Sequence, residues 1–183
     1  DGSRGLGDVY KRQACSAHFH PAWLNAGVSG KIPPHLFAAD PVMSFFQLHP
    51  RLQQDTFLVG HFALCKILLM NDKQYPWAIL VPQRPDIVEI YQLAPGDRQQ
   101  LLEESCRLAE ALVALYHPDK LNIAAIGNMV PQLHLHHVAR YRTDIAWPGP
   151  VWGKFAASAY TEQEAGNHIA RLRESLQGHL IGD

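Results

Sequence analysis

The sequence has little net charge, few cysteines and no long apolar run, and each shortage removes a class of function. Its 16 basic and 17 acidic residues leave a formal charge of −1. That balance supplies no basic field to gather nucleic acid or an anionic lipid surface, so neither is expected as a partner. The three cysteines, Cys15, Cys65 and Cys106, lie far apart with no CxxC spacing. This argues against a disulfide framework or a zinc ribbon and leads us to expect a reducing, cytoplasmic setting. No apolar run reaches membrane-spanning length, and no charged-then-apolar signal opens the chain.

What is present is 183 residues, 47 % of them hydrophobic, enough for one globular domain with its own core. Asp1 to Gln13 has no hydrophobic periodicity and reads as translated adapter sequence. Residues 14–42 carry Pro, Gly, His and Ala without a pattern, and no methionine precedes Met43. We expect Met43 to be the natural initiator, residues 1–42 an artefactual or disordered extension, and 43–183 a single domain; a genuine flexible extension is the alternative.

Within 43–183, Ser44 to Gln54 has a short amphipathic helical pattern that His49-Pro50 is expected to break. Thr56–His61, Ala63–Asn71 and Trp77–Val81 read as three strands of an antiparallel meander, with a polar turn around Asn71-Asp72. Asp97 is expected to cap the longest helix, with Gln100 in the capping box; the apolar stripe from Leu101 to Tyr116 is expected as core, and Pro118 ends the run. Strands follow over Leu121–Ile126 and Pro131–Arg142, with a bend at Gly127-Asn128-Met129. Thr161 and Glu164 form a second capping box, launching a helix through Leu176 that aligns Ile169, Leu172 and Leu176. The expected class is α+β: an antiparallel sheet with one long helix packed on it and a C-terminal helix.

Two of the eleven histidines are patterned. If Pro131–Arg142 is one strand, alternation places Gln132, His134 and His136 on one face and Leu133, Leu135 and His137 on the other. Two imidazoles and a carboxamide side by side cost stability unless they bind something or do chemistry. A histidine can act as a nucleophile, donate a proton or bind a metal, and a neutral imidazole is a competent nucleophile when its other ring nitrogen donates to a carbonyl. Gly127-Asn128 is placed to offer backbone amides to an oxyanion, or is a plain turn. Asp72, on its own sequence context, reads as a residue that holds its turn. His137 is expected to be partly exposed, Arg140 and Arg142 solvated at a strand end, and Trp147 and Trp152 packing residues.

The stretch Leu121–Arg140, LNIAAIGNMVPQLHLHHVAR, resembles the histidine-triad (HIT) superfamily of nucleotide hydrolases and transferases. The family signature is His-φ-His-φ-His-φ-φ, with φ apolar, often followed by an Ala-Arg or Pro-Arg pair. Aligning Arg140 with that arginine puts Gln132, His134 and His136 at the three triad positions, a QxHxH variant. AWPGPVWG, Ala146 to Gly153, matches the tail of a bacterial branch of the family. The resemblance implies a HIT-like fold and a nucleotide substrate attacked at its α-phosphate, such as a nucleoside phosphoramidate or a dinucleoside polyphosphate. It implies nucleophilic attack by His134 through a nucleotidyl-histidine intermediate, contacts from His136 to the scissile bridge, and an ordering role for Gln132. It also implies substrate contact by Asn122, acceptance by Asp72 of hydrogen bonds from ribose hydroxyls, no metal or other cofactor, and a homodimer. A sensing module that kept the pocket and lost turnover, and a metal-dependent enzyme using His134 and His136, are the competing readings.

Overall fold

The computed structural model describes residues 45–182. The expectations about residues 1–42, including Cys15, and about Met43 as initiator lie outside the described residues.

Among the described residues, five strands form one antiparallel sheet in the order β1-β2-β3-β5-β4, with three α-helices around it. They are α1 (Pro50–Asp55), β1 (Thr56–His61), β2 (Cys65–Met70), β3 (Trp77–Pro82), α2 (Pro95–Tyr116), β4 (Lys120–Ala124), β5 (Leu135–Arg140) and α3 (Glu162–Ser175). The expected α+β class is the one observed. The first three strands are the meander that their apolar runs call for, and α2 carries the chain across so that β5 pairs between β3 and β4. β3 is buried at all six positions, as a central strand covered on both faces must be.

The two faces have different covers. Val59, Ile67, Leu69, Ala78, Leu80 and Leu135 pack beneath α2 and α3. Leu68, Trp77, Ile79 and Val138 face the other way, under Leu52 and the segment holding Ala146 and Val151. The register pairs Ile79 with His136 and Trp77 with Val138, so those four side chains share the second face.

Helix ends are where the structure departs from the sequence reading. Pro50 begins α1 rather than breaking a longer helix: its missing N–H falls in the first turn, and His49 Nδ1 caps the helix by accepting from Arg51 N. Pro95 likewise opens α2 after Ala94, three residues before the start that an Asp97 cap implies. Asp97 then sits in the first turn and pairs with Arg84, while Gln100 donates to Glu104. At the far end His117 takes a left-handed conformation, φ 46°, and returns its N–H to Val113 O before Pro118. The Thr161–Glu164 capping box forms as expected. The α2 stripe is core at Leu101, Leu108, Ala111 and Leu112, but Leu102 and Val113, one helix face away, are exposed.

Three buried polar groups also correct expectations or were not anticipated. His137 is 0 % exposed rather than partly exposed, because it points beneath α2, where Ser105 Oγ lies 2.8 Å from its Nε2. Arg140 is 1 % exposed rather than solvated. It pairs with Asp144 at 2.7 Å, donates to Asn122 Oδ1 and Gly149 O, and lies near the rings of Tyr75 and Trp147. Arg142 is exposed, as expected. Glu104, on α2, accepts from the amides of Leu64 and Cys65 at 2.7 and 2.9 Å, closing the turn between β1 and β2 onto the helix. The same carboxylate and burial push the Cys65 thiol up, burial first, so that it stays protonated. Among the described residues, no helix is long and apolar enough to cross a membrane.

Glu104→Ala leaves two buried amides without an acceptor and is expected to lower stability by about 3 kcal/mol. Urea denaturation measures this; a loss within experimental error would show that water replaces the carboxylate.

Candidate active site

The histidine segment is only partly a strand. β5 begins at Leu135, four residues later than expected. Pro131 has no N–H to give a ladder, and the amide of Leu133 goes to Ile87 O in the loop after β3. Residues 132–134 thus lie outside strand alternation; residues 47–49 place the Gln132 side chain, the core takes Leu133, and a local hydrogen bond holds the His134 ring.

His134 is held by the residue two before it. Its Nδ1 lies 2.7 Å from the backbone carbonyl of Gln132. A carbonyl only accepts, so Nδ1 carries the proton and Nε2 presents a lone pair. This is the arrangement a nucleophilic imidazole requires. The ring is 6 % exposed and meets His136 edge-on, with centroids 4.8 Å apart.

His136 is fixed in the opposite tautomer. Trp77 Nε1 donates to its Nδ1 at 3.0 Å. Indole is a donor only, so His136 Nδ1 accepts and Nε2–H remains free to donate. Burial, then the neighbouring His134 and His137, pushes the His136 pKa down to about 3. Nothing in the one-dimensional pattern marked Trp77 as part of the site; it reads as one more apolar residue in a buried strand. The signal lies in the register, which sets Trp77 diagonally from His136 on the same face.

A cavity of about 300 Å³ opens over the two histidines. Gly127 and Asn128 form part of its wall, with Gly127 at φ 66°, a conformation that favours glycine. Trp77, Trp152, Met70 and Arg51 complete much of the rest. Trp152, weighed as a packing residue, meets both Trp77 and His136 edge-on and so serves as pocket wall as well. Arg51 was not singled out from the sequence, because a lone arginine after His-Pro has no pattern.

The remaining expected site residues lie outside this wall. Gln132 turns its carboxamide to the segment before α1, accepting from His49 N at 2.9 Å and donating to Gln47 O at 2.8 Å. Asn122 Oδ1 accepts from Arg140. Asp72 is buried under its turn, where Oδ1 accepts from Gln74 and from the amide of Ser158. The structure therefore brings together His134, His136, Gly127 and Asn128, and leaves Gln132, Asn122 and Asp72 outside the pocket wall. Among the described residues, no three His, Cys, Asp or Glu side chains are grouped to hold a metal ion.

Comparison with known proteins agrees with this geometry. The HIT domain family matches residues 51–143, about half of the chain. The chain is similar to the crystal structure of a histidine triad protein from Marinobacter aquaeolei VT8, with 51 % identity over 74 % of this chain and 99 % of that one and a TM-score of 0.72. It is also similar to histidine triad proteins from Bradyrhizobium japonicum and Sinorhizobium meliloti 1021. These are 46 % and 44 % identical, each over 72 % of this chain and over 98 % and 97 % of the other chains, both with a TM-score of 0.70. No curated protein matches. The chain belongs to the histidine triad (HIT) family. Membership supports a nucleotide-binding or hydrolase role in general terms.

His136 and His137, the latter held down to about 4 mainly by burial, stay neutral in the fold at a pH where an unfolded chain protonates them. Above about pH 6.5 both states are neutral and their contribution to stability is fully present. Below that, the unfolded state binds protons that the folded state refuses. Each histidine then removes about 1.4 kcal/mol per pH unit until its folded pKa is reached. The urea midpoint is expected to be level from pH 8 to 7 and to fall steeply from 6.5 to 4; a level profile down to pH 4 would contradict the buried neutral pair.

Proposed function

We propose that the protein is a nucleotide hydrolase or nucleotidyl transferase that acts at an α-phosphate through a covalent intermediate on His134. The observation that carries this reading is the hydrogen bond from His134 Nδ1 to the Gln132 carbonyl, which leaves the Nε2 lone pair free at the pocket. In the first step Nε2 attacks phosphorus, a P–N bond forms, and the bond to the leaving group breaks with its electron pair going to that group. The charge that develops on the imidazole is stabilised through Nδ1–H by the Gln132 carbonyl. In the second step water attacks phosphorus, the P–N pair returns to Nε2, and the proton of the attacking water passes to solvent. A nucleotide monophosphate is released.

The other roles follow from position. His136 donates its Nε2–H to a phosphoryl or bridging oxygen, and the amides at Gly127-Asn128 receive the charge that grows on phosphorus. Gln132 acts here as a positioning residue, through its carbonyl toward His134 and its side chain toward residues 47–49. Asn122 and Asp72 support the site from outside it, Asn122 by fixing Arg140 and Asp72 by fixing the turn between β2 and β3. A homodimer belongs to the same proposal, supported by the exposed apolar side chains of Leu102 and Val113 on α2 and Ile123 on edge strand β4. So do the single domain over 43–183 and the reducing, cytoplasmic setting, which the free thiols of Cys65 and Cys106 suit.

His134→Ala is expected to lower turnover of diadenosine tetraphosphate or adenosine 5′-phosphoramidate by about a thousandfold or more, with the fold kept. Steady-state assays beside a circular dichroism melt test this. Turnover by the variant at the wild-type rate would sink the assignment. Tight adenosine monophosphate binding without any wild-type turnover would favour a sensing module.

A further inference from the structure

Trp152 holds a buried donor that none of the described residues accepts. It and Trp77 both meet His136 edge-on, with ring centroids 5.7 and 5.4 Å away. Trp77 spends its Nε1–H on His136 Nδ1, while Trp152 Nε1 lies below the cavity surface without a partner. Among the described residues one other buried side-chain atom shares that condition, Tyr75 Oη, and Tyr75 is not part of the pocket wall. A hydroxyl can donate or accept, whereas an indole only donates. Nearly all buried polar groups in folded proteins are paired, so an unpaired N–H in the wall of a cavity points to an acceptor that arrives with a ligand. Among the described residues no carboxylate lines this wall, and much of it is apolar, with Met70, Ile126, Met129 and Val130.

The backbone holds Trp152 at the tip of a turn and leaves its ring free to choose a direction. Lys154 N donates to Val151 O at 3.1 Å and closes four residues into that turn. Gly153 is the third of them, at φ 69°, the positive value that a type II turn takes there, and nothing lies within 4 Å of where a Cβ would be. Val151, the first, is buried in the core. Trp152 is the second, anchored on both sides through its main chain while its side chain is only partly buried. Rotation about the side-chain bonds alone brings Nε1 to the cavity.

We propose, resting on the nucleotide reading above, that Trp152 is a further catalytic residue. Its ring turns when a nucleotide binds, and Nε1–H donates to a non-bridging oxygen of the phosphate beside His134. With His136 Nε2–H and the amides at Gly127-Asn128 it supplies one more donor for the charge on those oxygens.

The full chain carrying 5-fluorotryptophan, with Trp152→Phe to assign one resonance among its four tryptophans, reports the ring by fluorine NMR. AMP should move the Trp152 resonance saturably and further than adenosine does. In calorimetry Trp152→Phe should weaken AMP binding by about tenfold or more, the size of one hydrogen bond to a charged acceptor, and adenosine binding much less. Trp152→His keeps a ring N–H and should recover part of the AMP affinity. A resonance that saturating AMP leaves in place would overturn the proposal. So would AMP and adenosine weakened equally by Trp152→Phe, since a ring that only packs serves both ligands alike. Pyrophosphate, which carries no nucleoside, separates this failure from that of the nucleotide reading. A Trp152 shift with pyrophosphate but no binding of AMP would remove the nucleotide and keep the donor. AMP bound by Trp152→Phe at the wild-type affinity would do the reverse.

Discussion

The hydrogen bond from Trp77 to His136 is the constraint on which the chemistry of the site depends. It is a bond between adjacent strands, so it exists only because the β3–β5 register sets these two residues on one face. Indole cannot accept, and that single fact decides which nitrogen of His136 holds the proton. A complementary bond from His134 Nδ1 to a backbone carbonyl decides the opposite for its neighbour. Two histidines with centroids 4.8 Å apart thereby present different faces to one cavity, a lone pair from one and an N–H from the other. His136, kept neutral mainly by burial, needs no change of charge near neutral pH to donate.

The support for that pair comes from residues that do not line this pocket. Arg140 lies buried on the same face of β5 as His136 and gathers Asp144, Asn122 and Gly149 around its guanidinium. Burial alone would raise the Asp144 carboxyl, but bonds from Arg140 and from the amides of Tyr141 and Ala146 hold it below the usual range. The charge pair is thus compensated by several hydrogen bonds, the condition for a buried ion pair to be tolerated. It anchors the segment after β5, which returns Val151 over the sheet as core and Trp152 as pocket wall. On the opposite face His137 and Ser105 tie β5 to α2.

Much of this was legible in the chain, and the rest fails for identifiable reasons. The meander, the long helix and the Thr161–Glu164 box were readable, because apolar period and capping chemistry are local. Helix starts at Pro50 and Pro95 were misplaced because proline was read as a breaker, or passed over, where it serves as a first-turn residue. Parity placed Gln132 beside His136, yet Pro131 ends the strand pattern before it, and the Gln132 side chain turns to residues 47–49. Trp77 and Arg51 were invisible because their meaning lies in tertiary placement. Arg140 and His137 were read as solvated or partly exposed, since one sequence does not reveal which polar residues find buried partners.

The central claim is a nucleotide covalently bound to His134. Rapid quenching of the enzyme in alkali during turnover of adenine-labelled diadenosine tetraphosphate, followed by peptide mapping, tests it most directly. The account requires an acid-labile, alkali-stable adenylyl group on the peptide that contains His134, absent from His134→Ala. Turnover with no adduct, while the first step is kept faster than hydrolysis, would mean that water attacks phosphorus directly and that His134 serves only to position or activate it.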